Sequence, residues 1–319
     1  MSAPSSSLQP LNNVIPRTAI ITEGGGQRGI FTAGVLDTLI DKQFNPFEIL
    51  IGTSAGAQNL SSYVAGQKGY ARKTITDLTK DKHFFKLSHL VLGGNTVDLD
   101  WYFKQVKESK YRLDIESALN NLDGRQLFFS ATQIPDYQAR YFKPERHNWL
   151  KLLKASSALP FFYRQGVEIN GEYYVDGGLS APIPVEQAYH LGAKLIVVIR
   201  TVPHEHHNQS HFLNRIKYLI NKTHHCPKPV DYFIHNEDAY DSALAFIDRP
   251  PEDVKIIEIH PQKTLASKIL GSHNDQLETD YQAGKTAALD FLQKHHLDFE
   301  RFCEMHSKTY WHKQVVQFS

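Results

Sequence analysis

Two stretches decide the fold: TAIITEGGGQRG, from Thr18 to Gly29, and FEILIGTSAG, from Phe47 to Gly56. Each is a short apolar run of strand-forming residues that stops at glycine. Helical spacing follows the first, with Ile30, Ala33, Gly34, Leu36, Leu39 and Ile40 on one side. A second helical stretch begins at Ala55. The order strand, helix, strand, helix makes the two strands parallel neighbours and the class α/β. In a parallel sheet both glycine turns emerge at the carboxyl edge, where α/β sites lie. Gly29 and Ser54 are 54 − 29 = 25 residues apart, one helix plus one strand, so the two turns face each other across a crevice.

Outward from this unit, Leu127 to Ala131, Gln138 to Phe142, Tyr173 to Val175, Leu195 to Ile199 and Lys255 to Ile259 read as strands. From Leu265 onward the pattern is helical and partly amphipathic, with Leu289, Leu292 and His296 on one face. Pro203 to Pro229 is polar and histidine-rich around a helix-like piece, Phe212 to Leu219, and reads as an insertion or lid.

Composition removes several function classes. The 319 residues carry 35 Lys+Arg against 34 Asp+Glu, a net charge of +1, so no strong global field draws the chain to nucleic acid or anionic lipid. Hydrophobic residues at 41% and charged residues at 22% fit an ordinary globule and exclude disorder. Two cysteines, Cys226 and Cys303, make no disulfide framework and fit a reducing compartment. No run approaches the roughly 18 apolar residues of a membrane span. The first 16 residues, rich in Ser, Pro and Asn, read as a loose tail and not as a secretory signal. A cytoplasmic protein is expected.

Gly52-Thr53-Ser54-Ala55-Gly56 has the form of a nucleophile elbow. The sharp turn lifts the Ser54 hydroxyl clear of the sheet, the glycines remove Cβ clashes, and the helix that follows favours developing negative charge. The Ala55 N–H faces an oxyanion at that site. A plain Gly/Ser turn would explain the same five letters.

The loop Gly24-Gly25-Gly26-Gln27-Arg28-Gly29 has competing readings. It fits the dinucleotide fingerprint G-x-G-x-x-G, which would make the chain a Rossmann-type oxidoreductase binding NAD. That reading wants a carboxylate at the tip of the second strand; Gly52-Thr53-Ser54 stands there, and Glu48 comes too early. A P-loop lacks its Gly-Lys-Ser/Thr. The other reading is an oxyanion loop, in which the N–H groups of three successive glycines approach a tetrahedral intermediate and Arg28 adds positive potential. An elbow serine one element later favours it. Ser54 follows only the second strand, which sets the chain apart from ordinary α/β-hydrolases.

A base is needed. Asp176, at a strand end before Gly177-Gly178, points into a crevice without crowding, although Asp-Gly is also a common turn. It lies 176 − 54 = 122 residues from the serine, so only the fold can unite them. No histidine sits comparably, leaving a Ser–Asp dyad; an aspartate is a weak base at neutral pH, so partial burial that raises its pKa, or a strong oxyanion hole, would have to share the task.

Together these elements resemble the patatin-like phospholipases. Gly24 to Gly29 resembles the family's oxyanion loop, Gly52 to Gly56 its nucleophile motif, and Asp176-Gly177-Gly178 its D-G-[GA] motif. Ala155-Ser156-Ser157-Ala158-Leu159-Pro160 is similar to its A-S-x-A-x-P segment. The resemblance covers Pro16 to Ala188. It implies a three-layer α/β/α fold with a mostly parallel sheet. Over the chain it gives a tail at 1–16, a catalytic core at 17–262 with the His-rich insertion near 203–250, and a helical extension at 263–319. It implies lipid acyl hydrolysis with Ser54 as nucleophile and Asp176 as base, an oxyanion hole of Gly25, Gly26, Arg28 and Ala55, and no metal or cofactor. The partners implied are a fatty-acyl ester substrate and transient contact with a membrane surface, with no nucleic acid. A non-catalytic lipid-binding member of the fold is the remaining alternative.

Two further features have plainer explanations. His204-Glu205-His206-His207 and His224-His225-Cys226 suggest ligands but lack H-E-x-x-H or C-x-x-C spacing, and read as an exposed polar loop, as do His295 and His296. His83 to Leu92, Trp101-Tyr102-Phe103 and Phe161-Phe162-Tyr163 either line an acyl channel, touch a bilayer surface or form core; core is the simpler reading. Ser156 and Ser157 read as tight-packing residues.

Overall fold

The computed structural model describes residues 17–85, 95–160, 162–204 and 228–306, with the backbone only for 228–233. The 1–16 tail, most of the His-rich segment and Phe161 lie outside the described residues.

Eight strands form one sheet: β1 Arg17–Thr22, β2 Ile49–Thr53, β3 Gln126–Ile134, β4 Gln138–Phe142, β5 Val167–Ile169, β6 Glu172–Asp176, β7 Ala193–Ile199 and β8 Lys255–Ile259. The order is β5-β6-β3-β2-β1-β7-β8, with β4 also paired to β3. β3, β2, β1, β7 and β8 are mutually parallel; β4, β5 and β6 add antiparallel pairs at one side. The sheet is therefore mixed, with a parallel heart. β5 escapes the sequence reading because three residues ending in an Asn170-Gly171 turn carry little pattern.

Alternation along the central strands assigns the two faces. Ile20, Leu50, Leu195, Val197 and Ile199 point into one buried cluster, and Ala19, Ile21, Ile49, Ile51, Ile196 and Val198 into another. A strand buried on both faces reads as a continuous apolar run, which is why these strands stand out in the sequence. The first face is covered by α1 Gly29–Asp41, α2 Ala55–Val64, α4 Leu99–Glu108, α6 Trp149–Ser156 and α9 Asn274–Met305, with short α3 Tyr70–Lys73 and α5 Ile115–Leu122 beside them. The second is covered by α7 Val185–His190 and α8 Lys228–Asp248 through Val185, Ala188, Ala243, Leu244 and Ile247. The result is a three-layer α/β/α arrangement. No helix of the described residues is long and apolar enough to cross a membrane.

The long α9 is locked to α1. A Cβ on Gly284 would lie 2.1 Å from the Phe31 carbonyl oxygen, and one on Gly34 would lie 2.1 Å from that of Tyr281. Only glycine permits this approach. The Tyr281 hydroxyl donates to Asp37 at 2.8 Å, and Phe291 and Phe299 meet Phe44 edge to face at 5.8 and 5.2 Å. The structure corrects two details of the C-terminal reading. Residues 265–273 are not helical, and Leu289 points outward at 47% exposed while Leu292 is buried.

Candidate active site

β3 brings the distant parts together. Its first half pairs with β2, ending at Ser130 opposite Thr53. The next residue, Ala131, pairs with Asp176 of β6. β4 overlaps both β2 and β6 along β3 and so occupies the opposite edge. β2 and β6 therefore follow one another on a single edge, and the residue after Thr53 meets the last residue of β6.

That residue is Ser54. Its hydroxyl donates to Asp176 Oδ2 at 2.7 Å. The Ser54 backbone, with φ 54° and ψ −123°, sits in a region non-glycine residues rarely occupy, as a sharp strand-to-helix turn demands. Three contacts over-determine it. Its N–H donates to Ser156 Oγ at 2.9 Å. Thr53 Oγ1 donates to the Ala181 carbonyl at 2.7 Å, so the 2.6 Å contact with Ser130 Oγ must be donated by Ser130. Ser54 is the N-cap residue of α2, which puts it at the positive end of that helix.

Asp176 is buried and receives two hydrogen bonds, from Ser54 Oγ and from the Gly178 N–H at 2.7 Å. Desolvation outweighs both and pushes its carboxyl up to about 7. Its own N–H is fixed to the Ala158 carbonyl at 3.0 Å, and its carbonyl accepts from Thr132 Oγ1 at 2.8 Å. The Ala155–Pro160 segment thus braces both members of the pair.

The glycine loop lies against the serine: a Cβ on Gly24 would be 3.2 Å from Ser54 Cβ. Gly25 and Gly26 hold positive φ of 144° and 58°. Among the described residues the N–H groups of Gly25, Gly26 and Ala55 have no acceptor. The Arg28 amide is different. It closes the short helical turn Gly26–Arg28 by donating to Gly25 O at 3.2 Å, which takes it out of the set of free donors proposed from sequence. The Arg28 guanidinium acts instead on Glu23, a fully buried carboxyl that accepts from the Thr201 N–H and whose pKa is raised by burial against the pull of Arg28 and Arg200.

A cavity of about 920 Å³, part of it open to solvent, spreads from Ser54 and Ala55. Its walls are mostly apolar: Ile75, Phe84, Val97, Leu99, Tyr102, Phe103, Val106, Leu113, Leu153, Leu159 and Phe162. Phe84, Tyr102 and Phe103 are both buried and cavity-lining, so the two readings of those aromatics were not exclusive. Gln58 adds a polar edge, tied to Tyr102 at 2.6 Å and Ser157 at 2.9 Å. The sequence reading missed Ser156 as the acceptor for the Ser54 amide, Glu23 and Gln27 as loop anchors, and Ile269 and Leu270 as lining residues. Only the A-S-x-A-x-P resemblance pointed toward Ser156.

The histidines that are described have local partners, and His295 and His296 sit half-buried on α9, not in the exposed polar loop expected from sequence. His204 meets Glu258 at 3.0 Å, His295 meets Asp298 at 2.8 Å, and His296 meets the Leu292 carbonyl at 3.0 Å. His206, His207, His224, His225 and Cys226 lie outside the described residues.

The family described as patatin-like phospholipase matches residues 20–189, and a domain of unknown function, DUF6363, matches residues 226–297. The chain is 43% identical over 277 residues to the uncharacterized protein YjjU of Escherichia coli (strain K12), across 86% of this chain and 77% of that protein. It is 24% identical over 287 residues to the uncharacterized protein YqhO of Bacillus subtilis (strain 168), across 81% and 96%. Among solved structures, VipD from Legionella pneumophila aligns with a TM-score of 0.43 at 15% identity, over 88% of this chain and 67% of that one. Human GIVD cytosolic phospholipase A2, in complex with methyl gamma-linolenyl fluorophosphonate and terbium chloride, aligns with a TM-score of 0.48 at 13% identity, over 91% and 60%.

Proposed function

We propose, since this chain belongs to the patatin-like phospholipase family, that it is a lipid acyl hydrolase working through a Ser54–Asp176 dyad and an acyl-enzyme. The observation that carries the reading is the 2.7 Å hydrogen bond from Ser54 Oγ to a buried carboxylate, set at the head of an apolar cavity.

The steps follow from the atoms present. An ester enters with its acyl chain in the cavity and its carbonyl carbon at Ser54 Oγ. Asp176 Oδ2 takes the hydroxyl proton as the Oγ–C bond forms. The carbonyl oxygen becomes an oxyanion, and the Gly25, Gly26 and Ala55 amides donate to it; losing one such donor costs about 2.7–4 kcal/mol of barrier. The bond to the leaving alcohol breaks, and that alcohol carries away the proton held by Asp176. Water then attacks the acyl-Ser54 carbonyl, giving its proton to Asp176. Collapse releases the fatty acid and returns the proton to Ser54 Oγ. A carboxyl near neutral pKa suits this shuttle, whereas an ordinary aspartate is too weak a base. The scheme requires no metal or cofactor.

The test is fluorophosphonate labelling alongside p-nitrophenyl ester hydrolysis by wild type, Ser54→Ala and Asp176→Asn. Wild type is expected to label and turn over. Ser54→Ala should do neither, with a fall of about 10³-fold or more in rate. Labelling that persists in Ser54→Ala moves the nucleophile elsewhere and ends the proposal.

A further inference from the structure

The cavity has a wall that its catalytic region does not supply. Nearly all of its lining comes from residues 26 to 163, but Ile269 and Leu270 come from the region matched to the domain of unknown function. They sit on a non-helical strap, Leu265 to Ser272, that precedes α9.

Buried side chains pin this strap at both ends. At one end Asp280, itself buried, accepts from the Ala266 N–H at 3.2 Å and the Ser267 N–H at 2.7 Å. At the other, Gln27, 1% exposed, accepts from the Ser272 N–H through Oε1 at 2.8 Å. The Gln27 side-chain amide also donates to Thr79 at 2.8 Å, and its backbone N–H donates to the Ile269 carbonyl at 2.9 Å. The Lys268 N–H closes the strap on itself through Ser272 Oγ at 2.9 Å. Gln27 belongs to the glycine loop itself, so one residue ties the strap to the loop beside Ser54. The fit is tight: a Cβ on Gly26 would stand 2.3 Å from the Ile269 carbonyl oxygen.

Between the pins the strap presents two aliphatic side chains to the cavity, and Ile269 remains 42% exposed at its rim. An isoleucine held open to water beside an apolar cavity gains its burial only when something apolar arrives. A polar head group would want polar partners at that wall; methylenes would not.

We propose that Ile269 and Leu270 are specificity-determining residues of the acyl pocket, through which the C-terminal region selects long acyl chains. The proposal rests on the hydrolase reading above for its substrate class.

The primary experiment compares kcat/KM on p-nitrophenyl decanoate and p-nitrophenyl butyrate for wild type, Ile269→Ser, Leu270→Ser and the double variant. The expected result is a decanoate-to-butyrate ratio about tenfold lower in the double variant, roughly two methylenes of lost burial. Leu289→Ser, an exposed leucine on α9 outside the cavity, should leave the ratio at the wild-type value. A double variant whose ratio stays within about twofold of wild type overturns the proposal. A second readout needs no turnover: binding of cis-parinaric acid, followed by its fluorescence, should weaken about tenfold in the double variant. Should wild type hydrolyse neither ester while this binding loss still appears, the hydrolase reading fails and the apolar wall stands. Fatty-acid binding unchanged by the substitutions, or absent from wild type, removes the wall.

Discussion

Replacing Asp176 with asparagine should make the protein more pH-tolerant even as it abolishes ester hydrolysis. The native carboxyl is fully buried and its pKa is pushed from 3.8 up to about 7. In the unfolded chain it returns to the lower value. Between these two values the folded state holds a proton that the unfolded state has released, so stability must fall as pH rises. Each pH unit in that window costs about 1.4 kcal/mol. From about pH 5 to about pH 8 the native protein should therefore lose about 2–3 kcal/mol through this single group. Asparagine has no proton to release, keeps a similar shape and can still bridge Ser54 and the Gly178 N–H. Glu23 and Asp37 also carry raised pKa values, but both proteins share them, and a difference between the two pH profiles cancels their contribution. The assay is urea or thermal unfolding of wild type and Asp176→Asn across that range. The stability gap should widen in favour of the variant by about 2–3 kcal/mol, or about 4 °C in Tm for a chain of this length. Parallel profiles would mean that the carboxyl ionises normally in the fold, and the argument for Asp176 as a neutral-pH base would go with it.

Three other outcomes are expected. Since Asp176 must be ionised to accept the serine proton, kcat/KM on p-nitrophenyl butyrate should reach half its plateau near pH 7, fall about tenfold per unit below it, and stay flat just above; a rate flat down to about pH 5 contradicts this. Ser156→Ala strands the buried Ser54 N–H, so stability should drop by about 1–3 kcal/mol and activity with it, while Ser156→Thr, which keeps the acceptor, should recover part of both; urea midpoints and rates check this. Gly284→Ala drives a methyl against the Phe31 carbonyl, and scanning calorimetry should show Tm lowered by about 3–5 °C.

What was legible in the sequence follows a physical divide between local and non-local causes. The central strands β1, β2 and β7 are buried on both faces along nearly their whole length, and such strands announce themselves as aliphatic runs. The elbow was legible because a strained serine between a strand and a helix needs glycine before and after it. Ser156 accepting from Ser54, Glu23 accepting from Thr201 and Gln27 accepting from Ser272 span 102, 178 and 245 residues. Nothing in a residue's neighbours encodes a partner at that distance. The strap at 265–272 was misread as helix for a related reason. Its conformation is set by Asp280 and Gln27, not by its own periodicity. Leu289 does not share the buried face of Leu292 because the α9 face is chosen by the glycine contact with α1, which a hydrophobic pattern alone does not locate.

The site inherits its geometry from one accident of sheet pairing, the succession of β2 and β6 along the same edge of β3. A parallel neighbour must end where its helix begins, and that end is where a serine can be lifted out of the sheet. An antiparallel neighbour that takes over the vacated edge delivers its own last residue to the same spot. The ladder of β3 sets Ser54 and Asp176 side by side, and the Ala155–Pro160 segment braces them there. The same succession explains the buried, poorly solvated carboxyl: Asp176 lies inside a sheet covered on both faces, where water cannot stabilise its charge. On the proposed mechanism the pair needs no histidine to raise its basicity. The placement that brings the carboxylate within 2.7 Å of the hydroxyl also moves its pKa toward neutrality.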